Sequence, residues 1–277
     1  MPASDPGKAA EIAASAAKLH SIIRKMGKVA VACSGGVDST YLLNACLRIL
    51  GPDAVIALVV DHPLLAEYEA NEAVALVRSM GAVVHTLELD PTVVEEVAIN
   101  TPARCYHCKH FIFSHLGRYA REKGIDLILD GTNADDDRVY RPGLKALEEL
   151  GVRSPLKEAG LSKNAIRELS RAEGLNTWDR PSAPCLATRF PYDHRITDDD
   201  IKRVQKGESQ LRREGLMELR LRVHGDTARI EVPVHMISKL FEEGRRQRLV
   251  AALKALGYRY ITVDLEGLRS GSMDEGL

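Results

Sequence analysis

No apolar run in this 277-residue chain approaches the roughly 20 residues that a helix needs to cross a membrane. The amino-terminal MPASDPGKAAEIAAS also lacks the apolar core that marks a secretory leader. The expectation is a cytoplasmic protein. Net charge is missing too. With 38 basic and 39 acidic side chains the balance is −1, and bulk electrostatics gives no reason to expect a nucleic acid partner. Five cysteines in such a length do not make a disulfide scaffold; in a reducing compartment, clustered cysteines point to metal or redox chemistry. There is no internal repeat and no low-complexity segment. What remains, 45% hydrophobic and 28% charged, is the composition of a globular chain long enough for one large domain or two ordinary ones.

The stretch that organises the chain is VAVACSGGVDST, residues 29–40. An apolar run, Val29 to Ala32, reads as a buried strand, and Tyr41 to Leu50 as a helix. Between them Ser34, Gly35, Gly36, Asp38 and Ser39 bring two glycines, two hydroxyls and an acid to a strand–helix junction. Such a junction points backbone N–H groups and the positive end of a helix dipole at an anion. Gly35 and Gly36 let the backbone curl, and Ser39 is the expected N-cap. The Gly-Lys-Ser/Thr ending of a P-loop is absent.

Around this junction strand and helix alternate. Ala9 to Met26 carries Ile12, Ala16, Leu19, Ile22 and Ile23 at helical spacing; Ala54 to Val60 is a second strand, ending at Asp61-His62. Glu67 to Met80 reads as a helix, Gly81 to Leu89 as a strand, Phe111 to Lys123 as a helix and Asp126 to Leu129 as a fourth strand. This alternation predicts a doubly wound α/β domain with a mostly parallel sheet. Ligands of such sheets sit beyond the carboxyl ends of the strands. Asp61 and His62 therefore lie near a bound ligand, or form a solvated turn. Gly131, Thr132 and Asp136 follow the fourth strand on the same edge; Asp135-Asp136 there reads either as a magnesium site or as a capped turn.

Leu161 to Gly174 is a helix with Ser162 as its cap. From Leu175 to Tyr192 the periodicity is lost in a proline-rich run containing Cys185, read as a functional loop and the seam between a domain over 1–180 and a smaller α+β domain over 181–277. The smaller domain starts with a helix over Asp198 to Glu214 and ends with a helix over Phe241 to Leu256, a strand over Tyr258 to Leu265 and a frayed tail from Ser270. Between the helices, Glu218 to His224 and Thr227 to Val232 form a hairpin around Gly225-Asp226. A two-residue turn puts His224 opposite Thr227, Arg222 opposite Arg229 and Arg220 opposite Glu231, with the apolar residues on the other face. Arginines directly opposite one another destabilise a sheet. Either a phosphate between them relieves the conflict, or the face is solvated and steadied by Glu231.

Cys33 and Cys46 sit among apolar neighbours and read as core residues. Cys105 and Cys108 are spaced to bite one metal. With Cys185 they make three thiolates, which suits a [4Fe–4S] cluster with one iron left open; zinc with His107 or His110 as fourth ligand is the rival, and a redox pair or chance spacing is the third reading.

Ser-Gly-Gly-x-Asp-Ser resembles the signature of the PP-loop, or ATP-pyrophosphatase, superfamily. ACSGGVDST, DGTNADD, RPSAPCLATRFPY and LRLRVHGDTARIEV together resemble the LarE family, PP-loop sulfur transferases that mature the nickel-pincer nucleotide cofactor. The resemblance implies adenine contacts by the end of the second strand and ATP-dependent adenylylation of a carboxylate on pyridinium-biscarboxylic acid mononucleotide. Sulfur then replaces AMP to leave a thiocarboxylate. It assigns Asp38 and Cys185 as catalytic, and matches Arg220 and Arg222 to the family's substrate-phosphate arginines, with Arg229, Glu231 and Glu208 beside them. In the best-known branch one cysteine, matched by Cys185, surrenders its own sulfur. This chain departs by having Cys105 and Cys108 as well, and resembles the branch whose three cysteines hold a cluster. The expected partners are the small pyridinium mononucleotide and sulfide or another sulfur donor, in a homo-oligomer, with ATP, Mg2+ and the cluster as cofactors. The alternatives are a cluster-dependent tRNA thiolase, which calls for a basic surface, and a non-catalytic ATP-binding module with structural zinc.

Overall fold

The computed structural model describes residues 6–66, 69–138, 142–181, 184–269 and 272–273. Its chain gathers into two compact units. The larger comprises Met1–His62, Tyr68–Val94 and Ala103–Ser182, and the smaller Pro63–Glu67, Glu95–Pro102 and Ala183–Leu277.

In the larger unit the apolar runs VAVA, VIALVVD and LIL become β1 (Val29–Ala32), β2 (Val55–Asp61) and β4 (Leu127–Leu129), with β3 (Val83–Glu88) at one edge. All four are parallel, in the order β3-β2-β1-β4. Near-continuous apolar strands are what a sheet covered on both faces requires. Val29 of β1 stands opposite both Val55 and Leu127, so β1 is the strand from which the order reverses. The carboxyl end of such a strand is the crevice where ligands of open α/β sheets bind. Helices Pro6–Arg24, Val37–Leu50, Glu69–Ser79, Arg104–Glu122 and Lys163–Ala172 flank the sheet.

The helix expected from Phe111 begins at Arg104, so Cys105 and Cys108 form its first turn rather than preceding it. Further along, its Leu116 and Ala120 pack against Ala30, Leu58, Ile125 and Ile128.

In the smaller unit the helix Asp198–Arg213 opens with a capping box between Thr197 and Asp200, three acids in its first turn and two arginines in its last, all matched to the helix dipole. β5 (Arg220–His224) and β6 (Thr227–Glu231) pair antiparallel in the expected register, Arg222 opposite Arg229. β7 (Tyr260–Val263) adds parallel to β6. The helix expected from Phe241 starts only at Arg245, because Val234–Phe241 forms 3-10 turns and Glu242 is extended, at φ −55° and ψ 138°. The tail expected from Ser270 lies outside the described residues apart from Ser272 and Met273.

Leu116 is 1% exposed in the cluster beneath β1, β2 and β4. Leu116→Ala is expected to cost about 2–5 kcal/mol, read as a lower urea midpoint with an unchanged slope.

Candidate functional site

From Ala32 the chain turns through Cys33 to Gly36 and enters the helix Val37–Leu50. Gly35 adopts φ 73°, and a Cβ there would come within 3.0 Å of the Ala73 Cβ, so the helix Glu69–Ser79 lies against the turn. The N-cap is Gly36 and no side chain fills the cap. Ser39, expected as the cap, is the third residue of the helix instead. Its hydroxyl accepts from the Ser34 N–H at 3.3 Å and lies 3.3 Å from the Ser34 hydroxyl, tying the turn to itself. A glycine cap offers no oxygen to the first amides, which leaves them for an anion.

The loop after β4 closes on this turn. A Cβ at Gly131 would lie 2.9 Å from the Ser39 nitrogen and 3.1 Å from its Cα, so only glycine lets the two backbones approach this closely. The Thr132 hydroxyl donates to Asp130, which also accepts from Ser154, each at 2.5 Å. Asp136 accepts from the Asn133 N–H at 2.9 Å, and Asp135 from the Lys163 N–H at 2.8 Å. The acidic pair thus braces its own loop and one helix start.

Asp38 is held at one oxygen by the Lys163 ammonium at 2.6 Å and the Asn133 amide at 3.4 Å, while its Oδ1 is buried without a hydrogen-bond partner. Burial raises the Asp38 pKa above the usual carboxylate value, against the pull of Lys163. At the end of β2, Asp61 is exposed; His62 next to it is brought down to about 4 by burial, against the pull of Asp61 and Asp90, and its Nδ1 is buried without a partner. Arg180 donates to the Gly35 carbonyl at 3.3 Å and to Glu72 at 2.5 Å, latching the proline-rich run to the turn.

Cys105 is exposed and Cys108 half-buried, three residues apart on one face of a helix. That spacing fits two thiolate ligands of a soft metal. Among the described residues no three His, Cys, Asp or Glu side chains are gathered so as to hold an ion, so neither His107 nor His110 completes a set with this pair. Cys33 and Cys46 are buried, and burial raises both thiols well above their usual range, as fits inert core residues.

In the smaller unit the polar hairpin face is buried at Arg222 and Glu231, 4% and 0% exposed, half-buried at Arg220, Thr227 and Arg229, and exposed at His224. One oxygen of Glu231 accepts from Arg222 at 3.0 Å and from Arg229 at 3.1 Å; the other is buried and unpartnered. The like-charge conflict is therefore answered by Glu231 itself. What still favours an anion is the surplus of positive charge. Arg189 pairs with Glu208 through two bonds at 2.7 and 3.3 Å, and Glu208 also takes Arg212 at 3.1 Å and the Leu221 N–H at 3.1 Å. Arg229 reaches Asp264 as well, at 3.5 Å. Among the described residues Arg220 bonds to the Arg269 carbonyl, at 2.8 Å, and to no carboxylate. Burial, then the neighbouring Arg222 and Arg189, lower its affinity for its own proton. Arg222 further donates to the Thr188 carbonyl and, at 2.8 Å, to the Ser272 hydroxyl.

The Cys185 loop belongs to the same network. Arg189 donates to the Pro184 carbonyl at 3.1 Å, and Thr188 donates to the Cys185 carbonyl through its N–H at 3.0 Å and its hydroxyl at 2.8 Å. Asn100, buried at φ 56°, gives its amide to the carbonyls of Ala187, Phe190 and Pro191 at 3.3, 3.2 and 2.7 Å. Sequence reasoning missed Asn100, Thr188, Arg189, Arg180 and Lys163. For Lys163 a signal existed, a cation placed directly after a serine cap, against the helix dipole. For the others there was none.

Gly131→Ala forces backbone apart where the loop after β4 meets Ser39, in the first turn of the helix Val37–Leu50. The strain of overpacking, about 1–3 kcal/mol, is expected to weaken ATP binding roughly tenfold with the far-UV spectrum kept, as measured by calorimetric titration.

A PP-loop domain matches residues 9–138. Over 268 residues, 97% of this chain and 96% of the relative, it is 37% identical to the pyridinium-3,5-bisthiocarboxylic acid mononucleotide synthase of Lactiplantibacillus plantarum. An uncharacterised protein of Synechocystis is 36% identical over 94% of the chain and 96% of its own length. One from Methanocaldococcus jannaschii is 29% identical over 89% and 92%. With a glycine-capped turn at the reversal point of a parallel sheet and likeness along almost its whole length, the chain belongs to the LarE family of pyridinium-3,5-bisthiocarboxylic acid mononucleotide synthases, enzymes built on a PP-loop domain.

Proposed function

We propose that this enzyme is an ATP-dependent sulfur transferase that converts the carboxylates of pyridinium-3,5-biscarboxylic acid mononucleotide to thiocarboxylates. The observation that carries the reading is the uncapped, diglycine-led helix start at the end of β1, in a chain that is alike along 97% of its length to a synthase named for the bisthiocarboxylic product. A carboxylate is a poor acylating agent, and esterification to AMP gives it a leaving group. One carboxylate oxygen attacks the α-phosphorus of ATP, the bond to the bridging oxygen breaks and pyrophosphate departs with the electron pair. Sulfide then attacks the acyl carbon and AMP leaves. The first amides of the helix Val37–Leu50 bind the triphosphate, Ser34, Gly35, Gly36 and Ser39 shape the turn, and Asp61 with the loop of Gly131 and Thr132 bounds the nucleotide. Asp136 is the candidate for the magnesium that accompanies ATP.

In the smaller unit Arg220, which bonds to no carboxylate among the described residues, and Arg222 bind the phosphate of the mononucleotide. Glu231 holds the Arg222 guanidinium, Arg229 shares the same carboxylate oxygen, and Glu208 holds the strand between Arg220 and Arg222 at the Leu221 N–H. Cys105, Cys108 and Cys185 are proposed as the ligands of a [4Fe–4S] cluster, on the strength of a thiol pair within one helical turn and a third thiol outside the apolar core. Such a cluster, when bound, supplies an iron at which sulfide is held deprotonated at neutral pH.

The test of the activity is incubation of the purified protein with ATP, magnesium, sulfide and the pyridinium mononucleotide. Pyrophosphate, AMP and the mass change of an oxygen-to-sulfur exchange are expected together. Pyrophosphate without the sulfur product would overturn the transfer step, and no pyrophosphate would overturn the adenylylation.

The ligand proposal has a separate readout. After anaerobic purification, Cys108→Ala is expected to lose the iron, acid-labile sulfide and visible absorbance of the parent protein while keeping ATP-dependent pyrophosphate release. Undiminished iron in that variant would refute it.

A further inference from the structure

We propose that Asn100 is the positioning residue of the Cys185 segment, its carboxamide fixing the orientation of the short turn that Cys185 begins; this rests on the reading above that Cys185 takes part in sulfur delivery. Asn100 is fully buried and holds φ 56°. Glycine takes that left-handed angle without strain, and asparagine is among the few other residues that tolerate it. The backbone angle therefore gives no reason for a side chain here. The reason lies in what the side chain does. Its Nδ2 lies 3.3 Å from the Ala187 carbonyl oxygen, 3.2 Å from that of Phe190 and 2.7 Å from that of Pro191. Three acceptors around one atom identify it as the nitrogen of the amide. The Oδ1 at the other end is buried without a hydrogen-bond partner.

All three carbonyls stand within six residues of Cys185. Cys185 is the N-cap of the 3-10 turn Leu186–Arg189, and its own carbonyl is held by Thr188. Asn100 closes the other end, where the carbonyls of a helical turn lack partners further along it. The main chain follows the same path: the Asn100 carbonyl accepts from the Asp193 N–H at 3.2 Å, and the Ala98 carbonyl from the Ile196 N–H at 2.7 Å. Leu186, Ala187 and Phe190 are buried. Apolar burial sets how deep the turn lies, but it is non-directional. Hydrogen bonds decide which way the turn faces. Arg189 of the same turn is bound to Glu208. The turn is thus gripped by a side chain at Arg189 and by its main chain at Asn100, and Cys185 inherits both constraints.

The experiment uses Asn100→Gly, which keeps the left-handed backbone and removes the donors. In the metal-free, full-length protein, alkylation of each cysteine by iodoacetamide is followed by peptide mass spectrometry, with the exposed Cys105 as internal reference. The rate at Cys185 relative to Cys105 is expected to rise at least about fivefold as the turn loosens. With ATP, magnesium, sulfide and the pyridinium mononucleotide, kcat for the thiocarboxylate is expected to fall roughly 10- to 100-fold. The KM for the mononucleotide and the first-turnover pyrophosphate are expected to stay within about threefold of the parent. A residue that only stabilises the fold would lower the urea midpoint and leave the alkylation ratio and kcat of the folded protein at parental values. That result overturns the proposal, as does an equal fall in pyrophosphate and thiocarboxylate. Should Asn100→Gly lose cooperative unfolding, Asn100→Asp carries the same readouts. Its side chain keeps the volume and tolerates the angle, but offers the three carbonyls one proton at most; parental values there overturn the proposal. If the parent enzyme forms no thiocarboxylate, the transfer reading fails, and the alkylation ratio still decides whether Asn100 holds the turn.

Discussion

β1 is hydrogen-bonded on both sides in a single register, Val29 facing Val55 and Leu127 at once. Everything about the larger unit follows from that constraint. A strand paired on two sides has no edge to expose and must be apolar, which VAVA is. Its neighbours run parallel to it, so the loops leaving β1 and β4 emerge at the same end and must pack on each other. They do so closely enough that Gly131 has no room for a side chain over Ser39. The polar groups of both loops then share a small space, and each short side chain satisfies a neighbour: Thr132 with Asp130, Asn133 with Asp38 and Asp136. The helix start stays unfilled, because its cap is glycine, and so does the Oδ1 of Asp38.

The smaller unit solves a different problem, the burial of guanidinium groups. An unpaired buried charge is costly, and the hairpin supplies Glu231 between two facing arginines while Glu208 serves Arg189, Arg212 and a strand amide. The network does not stop at the side chains. Through Arg189, Thr188 and Asn100 it extends to the carbonyls of the segment carrying Cys185, which has almost no regular structure to hold it. The irregular segment that carries Cys185 thereby gains a fixed backbone.

How much of this was legible in the sequence varies with the range of the interactions. The parallel strands were readable from apolar runs, and the hairpin register from the two-residue turn, since both depend on neighbours in the chain. The Ser162 cap was readable for the same reason. Ser39 was misjudged because two hydroxyls and two glycines compete for one cap, and only the backbone angles decide that Gly36 takes it. Whether the hairpin's polar face holds a phosphate or is solvated stayed open in the sequence, because local alternation says nothing about what covers a face. Lys163 reaches across 125 residues and Asn100 across about 90 to their partners; no periodicity encodes such pairings.

The arrangement at Glu231 also bears on how this chain can diverge. A single carboxylate oxygen serves both arginines, so replacing the acid leaves the buried Arg222 facing the half-buried Arg229, which keeps Asp264, and replacing Arg222 removes the nearer of the two cations on that oxygen. Because a buried ion pair that loses one member leaves an uncompensated charge, substitutions at positions 222 and 231 are expected to be coupled rather than independent.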